Sequence, residues 1–295
     1  MNVYVRREVL LGVIEAFGGR LGRTDCLKIL FLLGQQEVSK KHYAFFPHHY
    51  GPYSYVVMQD KRRLTEQGYL RDSQGFVAAE TGGHLDRLNP PDRVAILNLA
   101  ARLGSVRGRE LLRKVYVEYP AYCCRSRVAT KVLSKEQLSL VSGQWNTDAT
   151  LRVFTIGYEG RTIDDLLNCL VVNNVRSVVD VRRNALSMKY GFSKTALGQY
   201  LVASGLEYLH QPALGIPSSM RENLVSLDSY QRLFGRYRKE ILPRAGKALE
   251  LVVETVTRRH RVALLCFEAN PLQCHRHVVA EAVVAATPGL ELQHL

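Results

Sequence analysis

The pattern of apolar and polar positions changes character once along the chain. Over residues 3–17 (VYVRREVLLGVIEAF) apolar side chains recur at near-helical spacing until Gly18 and Gly19 stop them, and 27–33 opens a second helix after Thr24, a residue suited to cap it. The segment YAFFPHHYGPYSY turns at Gly51 and Pro52. Ser54 then caps a helix through VVMQDKRRLTEQ to the break at Gly68, and YLRDSQGFVAAE has the form of a hairpin. Helices followed by a small two-stranded wing is the order of a winged-helix module, which sets a basic helix against DNA. Residues 92–119 predict one or two further helices.

Near residue 145 the pattern becomes strand, helix, strand: RVFTIGY, TIDDLLNCLVVN and VRSVVDV. A helix near KTALGQYLVASG, a short strand LEYLH, a long helix across 228–260 and a strand in VALLCFE follow. Alternating strands and helices predict a mainly parallel sheet covered by helices. The sequence therefore reads as two domains, a mainly helical, winged-helix-like domain over 1–145 and an α/β domain over 146–295.

Composition narrows the class. Of 295 residues, 46% are hydrophobic and 23% charged, which excludes a disordered or collagen-like chain. No apolar run approaches the ~18 residues of a membrane span, and the first residues lack a signal-peptide pattern. The six cysteines include no CxxC pair, so the expectation is a cytoplasmic chain with reduced thiols and no membrane partner. The net charge of +13 suits a polyanion, and the surplus leans forward: 22 basic against 14 acidic residues up to position 150 leaves +8 there. Nucleic acid, DNA ahead of RNA, is the expected partner, with Lys61, Arg62 and Arg63 on the recognition helix. The same triplet also fits the solvated face of a protein–protein contact through the N-terminal domain.

In open parallel sheets ligands bind beyond the carboxyl ends of the strands, so three loops carry the candidate chemistry. The first, Gly157, Tyr158, Glu159, Gly160 and Arg161, offers small residues and amides to an anion before Thr162 caps a helix. In the second, Asp180 leaves a buried strand together with two guanidiniums, Arg182 and Arg183. The third runs from Cys266 and Glu268 to Cys274, His275 and Arg276, where Asn270 and Pro271 start a helix whose dipole favours anions or a thiolate. Cys266, Cys274, His275 and His277 also offer four zinc ligands, but the spacing C-x7-C-H-x-H matches none of the common zinc patterns. The expectation is accordingly an anion site centred on Arg276, with no metal and no cofactor.

Four motifs in order, Thr155 to Arg161 (TIGYEGR), Asp180-Val181-Arg182, Tyr208 to Gly215 (YLHQPALG) and Leu265 to Arg276 (LCFEANPLQCHR), make residues 153–295 resemble the domain of unknown function 488 family. The resemblance implies an α/β fold with a site at these motifs, His210 included, and names no reaction. The family's second glycine after Gly215 is Ile216 here. Residues 6–70, through KILFLL and YGPYS, are similar to winged-helix-like SocA-type antitoxin domains, which implies DNA or protein contact.

The preferred reading is a nucleic-acid-associated enzyme or enzyme-like protein, of hydrolase or nucleotide-modifying type, that binds a nucleotide or other phosphate-bearing ligand. Asp180 or Glu268 is the candidate general base, Cys266 or Cys274 the candidate nucleophile, and His275 a further catalytic candidate. Gly157, Tyr158, Gly160, Arg161, Arg182, His210, Cys274 and Arg276 form the candidate anion-binding set. Two acids also suit glycosidic cleavage of a nucleoside. The alternatives are a non-catalytic DNA-binding or antitoxin-like regulator that senses a ligand, and sulfur transfer by Cys266 as in rhodanese-like domains.

Overall fold

Apolar residues at helical spacing bury one stripe of α1 (Val5–Ala16), with Val9, Leu10, Val13 and Ile14 in the core. The structure is a computed structural model and describes residues 4–36, 41–80, 82–221, 224 and 226–295. It divides into two units, Met1–Trp145 and Asn146–Leu295.

In the first unit α1 leads through β1 (Arg20–Leu21) into α2 (Arg23–Leu33). The N-cap of α2 is Gly22, so Thr24 lies inside the helix and is not its cap. Strands β2 (Phe46–His48) and β3 (Gly51–Tyr53) form an antiparallel hairpin, tight because Gly51 holds φ at +80°. The Ser54 hydroxyl then accepts from the Val57 amide at 3.2 Å and caps α3 (Tyr55–Glu66), as the sequence predicts. Beyond Gly68, Leu70 bridges Ala78, and β4 (Phe76–Val77) pairs antiparallel with β1, so the expected hairpin gains a third strand from upstream. Helices α4 (His84–Arg87), α5 (Pro90–Leu103) and α6 (Gly108–Glu118) follow. Helices α7 (Ala129–Val132) and α8 (Lys135–Ser142), which the apolar pattern does not predict, are both short, and neither has a long apolar stripe.

Lys28 of α2 is 1% exposed, and its Nζ donates to the Pro52 carbonyl at 2.8 Å. Burial pulls its pKa down from 10.5 to about 7, against a smaller opposing pull from Asp25. Between about pH 7 and 10.5 the unfolded chain holds a proton that the folded chain releases, so stability rises with pH across that window. Relative to a Lys28→Met variant, the wild type is expected to gain on the order of 4 kcal/mol from pH 7 to 10.5 in urea unfolding. Parallel pH profiles would contradict this.

The second unit alternates strand and helix: β5 (Arg152–Gly157), α9 (Ile163–Val172), β6 (Ser177–Asp180), α10 (Lys194–Ala203), β7 (Glu207–His210), α11 (Leu227–Arg236), α12 (Gly246–Arg259), β8 (Arg261–Cys266), α13 (Arg276–Ala285) and β9 (Glu291–His294). The five strands form one sheet in the order β7-β6-β8-β5-β9, and every pairing is parallel. Thr162 caps α9 in a capping box with Asp165. The long helix predicted over 228–260 is two helices. Between them Tyr237–Ile241 widens to a π turn and Leu242–Ala245 tightens to 3-10, because Pro243 has no N–H and its ring clashes with the preceding turn. Strand β9 is a short edge strand with no apolar run to announce it.

Val179, Val262 and Leu264 from the sheet meet Val252, Val256, Val279 and Val283 from α12 and α13 in one apolar core. Because all strands run the same way, Gly157, Asp180, His210 and Cys266 end at one edge of the sheet.

Candidate functional site

Gly157 stands in register with Cys266, and the loops after β5 and β8 continue the pairing beyond the sheet. The Tyr158 amide donates to the Cys266 carbonyl at 3.3 Å and the Glu159 amide to Phe267 at 2.8 Å, while the Ala269 amide donates to the Glu159 carboxylate at 2.9 Å. The Tyr158 and Glu159 amides, expected to face an anion, are thus engaged by protein carbonyls. A Cβ on Gly157 would lie 1.8 Å from the Glu268 carbonyl oxygen, so only glycine lets the loops close this tightly. Gly160 holds φ at +74° in the turn where the Arg161 amide donates to the Tyr158 carbonyl; the Arg161 side chain bonds the Cys169 thiol.

The loop after β8 differs from the expected helix start. Asn270 caps only the short 3-10 turn Pro271–Gln273, and α13 begins at Arg276, so Cys274 and His275 precede the helix. Arg276 is fully buried and turned inward: Nη1 donates to the Glu268 carbonyl and Nη2 to the Ala269 carbonyl at 2.9 Å. A guanidinium so placed braces the loop from beneath and does not present itself to a ligand. His277 also points away, with Nδ1 at 2.6 Å from the Cys274 carbonyl and its ring against Phe234.

What the loop does gather is a cluster of Cys266, Glu268, Cys274 and His275. Cys266 Sγ lies 3.5 Å from Glu268 Oε2 and 3.9 Å from His275 Nδ1. His275 Nε2 lies 3.0 Å from the Val181 carbonyl, which assigns it the N–H and leaves the Nδ1 lone pair facing the sulfurs. Burial pushes the Cys274 thiol well up, and its neighbour Cys266 adds to the effect. Burial alone would raise the Glu268 carboxyl, yet the Cys274 thiol, the Glu268 amide, Arg221 and His275 together hold it below its ordinary value.

Asp180 sits beside this cluster but is fully occupied. Its carboxylate accepts from Arg182 Nε at 2.8 Å and Nη2 at 2.5 Å, from the Arg182 amide at 3.1 Å and from the Tyr208 hydroxyl at 2.8 Å. Arg182 Nη1 donates to the Phe192 carbonyl and the Tyr158 hydroxyl. Burial on its own would lower the Arg182 pKa, but its bonds to Asp180 outweigh it and raise the value. Asp180 is therefore a positioning residue for Arg182, and the arrangement leaves it no lone pair aimed at a substrate. His210 Nε2 lies 2.9 Å from the Arg182 carbonyl and steadies the same turn. Gly215 permits that turn: a Cβ there would meet the Arg183 backbone at 2.1 Å. Ile216, in place of a second glycine, packs into the core and reaches the cleft.

Above the cluster opens a cleft of about 370 Å³, with Cys266 among its lining residues. Tyr158, Arg182, Arg183, Asn184, Ser187, Ser218, Arg221 and Phe267 line it as well. Sequence reasoning places Arg183 and Phe267 in the candidate loops without giving either a role, and it misses Arg221. Arg183 directly follows the Asp180-Val181-Arg182 motif, whereas Arg221 belongs to an irregular segment with no pattern to single it out. Arg221 Nη1 lies 3.5 Å from Glu268 Oε1, linking the cleft wall to the cluster.

In the first unit the basic triplet is not a uniform display. Lys61 Nζ donates to the Ser73 carbonyl at 2.5 Å and lies over the Phe76 ring, while Arg62 and Arg63 both pair with Glu66 on the exposed face. A larger cleft of about 810 Å³ lies between the start of α2, α3 and the β1–β4 ladder, with Arg20, Arg23 and Lys61 in its lining.

The second unit is thus an open, all-parallel α/β domain with a polar cleft at the carboxyl edge of its sheet. Residues 162–283 match the family described as "Domain of unknown function DUF488". The match contains the Asp180, Tyr208 and Cys266 motifs and starts just after the Gly157 turn. No curated protein and no solved structure matches the chain. Among the described residues, no helix is long and apolar enough to cross a membrane.

Proposed function

We propose that the chain is a nucleic-acid-associated enzyme of hydrolytic type, whose α/β domain takes a nucleotide-like, phosphate-bearing ligand in the cleft above Cys266. The observation that carries the reading is the composition of that cleft: Arg182, Arg183 and Arg221 on its walls, with Cys266 on its floor against Glu268 and His275. Arginine forks suit phosphate oxygens, and the exposed Phe267 ring offers a base a stacking surface. The anion site is therefore assigned to Arg183 and Arg221, with Arg182 pre-oriented by Asp180, in preference to Arg276.

For the N-terminal domain, the order helix, short strand, helix, hairpin, helix and a strand that returns to pair with the first supports a winged-helix reading, with DNA as the partner. Arg20 and Arg23 beside the Ser73–Gly75 turn add basic groups to that face. The six unpaired cysteines suit a cytoplasmic location. The regulator reading draws on one observation: Cys266 and His275 are each 1% exposed, which suits sensing as well as turnover.

Titration of the full chain with duplex and single-stranded oligonucleotides across a salt series tests the association. Affinity is expected to fall with a log–log slope of about −0.9 per neutralised phosphate on duplex DNA, and Arg20→Ala with Arg23→Ala to flatten the slope by about 1–2. Binding that ignores salt, or no binding at low ionic strength, would remove nucleic acid from the reading.

A further inference from the structure

The floor of the cleft holds more soft donors than a thiol nucleophile requires. Cys266, Cys274 and His275 are each buried, and their donor atoms all lie within 4.8 Å of one another. Ligands around one tetrahedral zinc stand about 3.5–3.8 Å apart, given Zn–S and Zn–N bonds of about 2.3 and 2.0–2.1 Å. The 3.9 Å between Cys266 Sγ and His275 Nδ1 is already close to that spacing. A nucleophile paired with a base uses one thiol; a metal uses both sulfurs.

The surroundings are those of a metal ligand set. His275 is tied through Nε2 to the Val181 carbonyl, the second hydrogen bond by which metal-bound imidazoles are oriented with the other nitrogen free to ligate. Cys266 and Cys274 sit in the apolar core of the domain, which shields thiolate–metal bonds from water. Two thiolates and an imidazole select zinc over magnesium or calcium. The spacing C-x7-C-H-x-H does not announce this set, because His277 turns away to the Cys274 carbonyl while the 3-10 turn at Pro271–Gln273 brings Cys274 back to Cys266.

We infer that Cys266, Cys274 and His275 bind a zinc ion whose fourth position faces the arginine-lined cleft and holds a water, with Glu268 placed to accept that water's proton. Three protein ligands and one open position is the pattern of catalytic rather than structural zinc. Glu268 fits its role by position: Oε2 lies 3.5 Å from Cys266 Sγ, while Oε1 lies 3.5 Å from Arg221 on the cleft wall. The step balances without an oxidant or reductant. The bound water gives its proton to Glu268, the resulting hydroxide forms the new bond to the substrate's electrophilic atom, and the leaving group departs with the proton from Glu268. This deepens the reading of the cleft as a hydrolytic site and makes Cys266 a ligand, not a nucleophile.

The full chain, purified without chelators, is assayed for metal by plasma mass spectrometry, and chelator-treated chain is then titrated with Co²⁺. About one zinc per chain is expected, and one Co²⁺ giving the thiolate charge-transfer and intense visible bands of a tetrahedral site. Cys274→Ser is expected to lower metal content at least tenfold, whereas Cys169→Ser leaves it unchanged. Arg221→Ala is expected to retain zinc while losing phosphate-ligand affinity, so a failed cleft and a failed metal site give different results. A folded wild-type chain that holds no zinc and shows no cobalt spectrum overturns the inference, as does full zinc content in Cys274→Ser. Because the cobalt titration uses wild type, a variant that fails to fold does not shelter the proposal.

Discussion

Asp180→Ala is expected to destabilise the α/β unit by about 3–5 kcal/mol, the cost of leaving a buried charge without its partner. Asp180 is fully buried and Arg182 is 4% exposed, so water cannot replace the lost carboxylate. The guanidinium would keep only the Phe192 carbonyl and the Tyr158 hydroxyl, and two of its donors would be stranded. Tyr208→Phe removes one hydrogen bond to the same carboxylate and is expected to cost about 1 kcal/mol. Urea unfolding of the full chain, with hydrogen exchange read in β6 and β8, checks both. Equal small effects would show that the pair is solvated and that Asp180 does not hold Arg182 in place.

Gly157→Ala is the second large effect, and it falls on the site. A methyl group there would overlap the Glu268 carbonyl oxygen at 1.8 Å and approach Arg276 Nη1 at 3.1 Å. The loop carrying Glu268 has to move, and Arg276, which holds it from beneath, moves with it. Loss of metal and ligand binding is expected, with about 1–3 kcal/mol of destabilisation from overpacking. Gly160→Ala is the control. Its Cβ meets nothing within 4 Å, so only the positive φ is strained, at about 1–2 kcal/mol, and the site is expected to survive. Metal content and ligand affinity of the two variants, beside their unfolding midpoints, separate the two outcomes.

The fold of the second unit was legible where burial is continuous. RVFTIGY and VALLCFE are strands because every position from Val153 to Gly157 and from Arg261 to Cys266 is buried, and such runs announce themselves. Strand β9 was not legible, since half-exposed ELQH carries neither an apolar run nor a clean alternation. Pro243 stands in the sequence as a helix breaker, and the reading of one helix over 228–260 passes over it.

The site was legible as a set of loops and not as a set of roles. Parallel strands bring the residues after β5, β6 and β8 to one edge whatever their chemistry, so the neighbourhood follows from the alternation of elements. Which way a side chain turns depends on partners distant in sequence. Arg276 turns inward because two carbonyls of a loop folded over it accept its protons. Asp180 is consumed by Arg182 and by Tyr208 from the neighbouring strand. Arg221 reaches Glu268 across 47 residues of sequence, a contact that local pattern does not contain. In the first unit the same limit applies to Lys61, whose ammonium is taken by the Ser73 carbonyl.

The central claim is that the cleft above Cys266 binds a phosphate-bearing ligand through its arginines. Calorimetric titration of a nucleoside monophosphate into the full chain, wild type and with Arg183→Ala and Arg221→Ala combined, tests it most directly. Saturable binding of one ligand per chain is expected, weakened about a hundredfold or more in the double variant while unfolding is unchanged, since each of the two lost charge-assisted bonds to phosphate is worth about 1.5–3 kcal/mol. No binding to the wild type, or equal binding to the variant, would contradict the account.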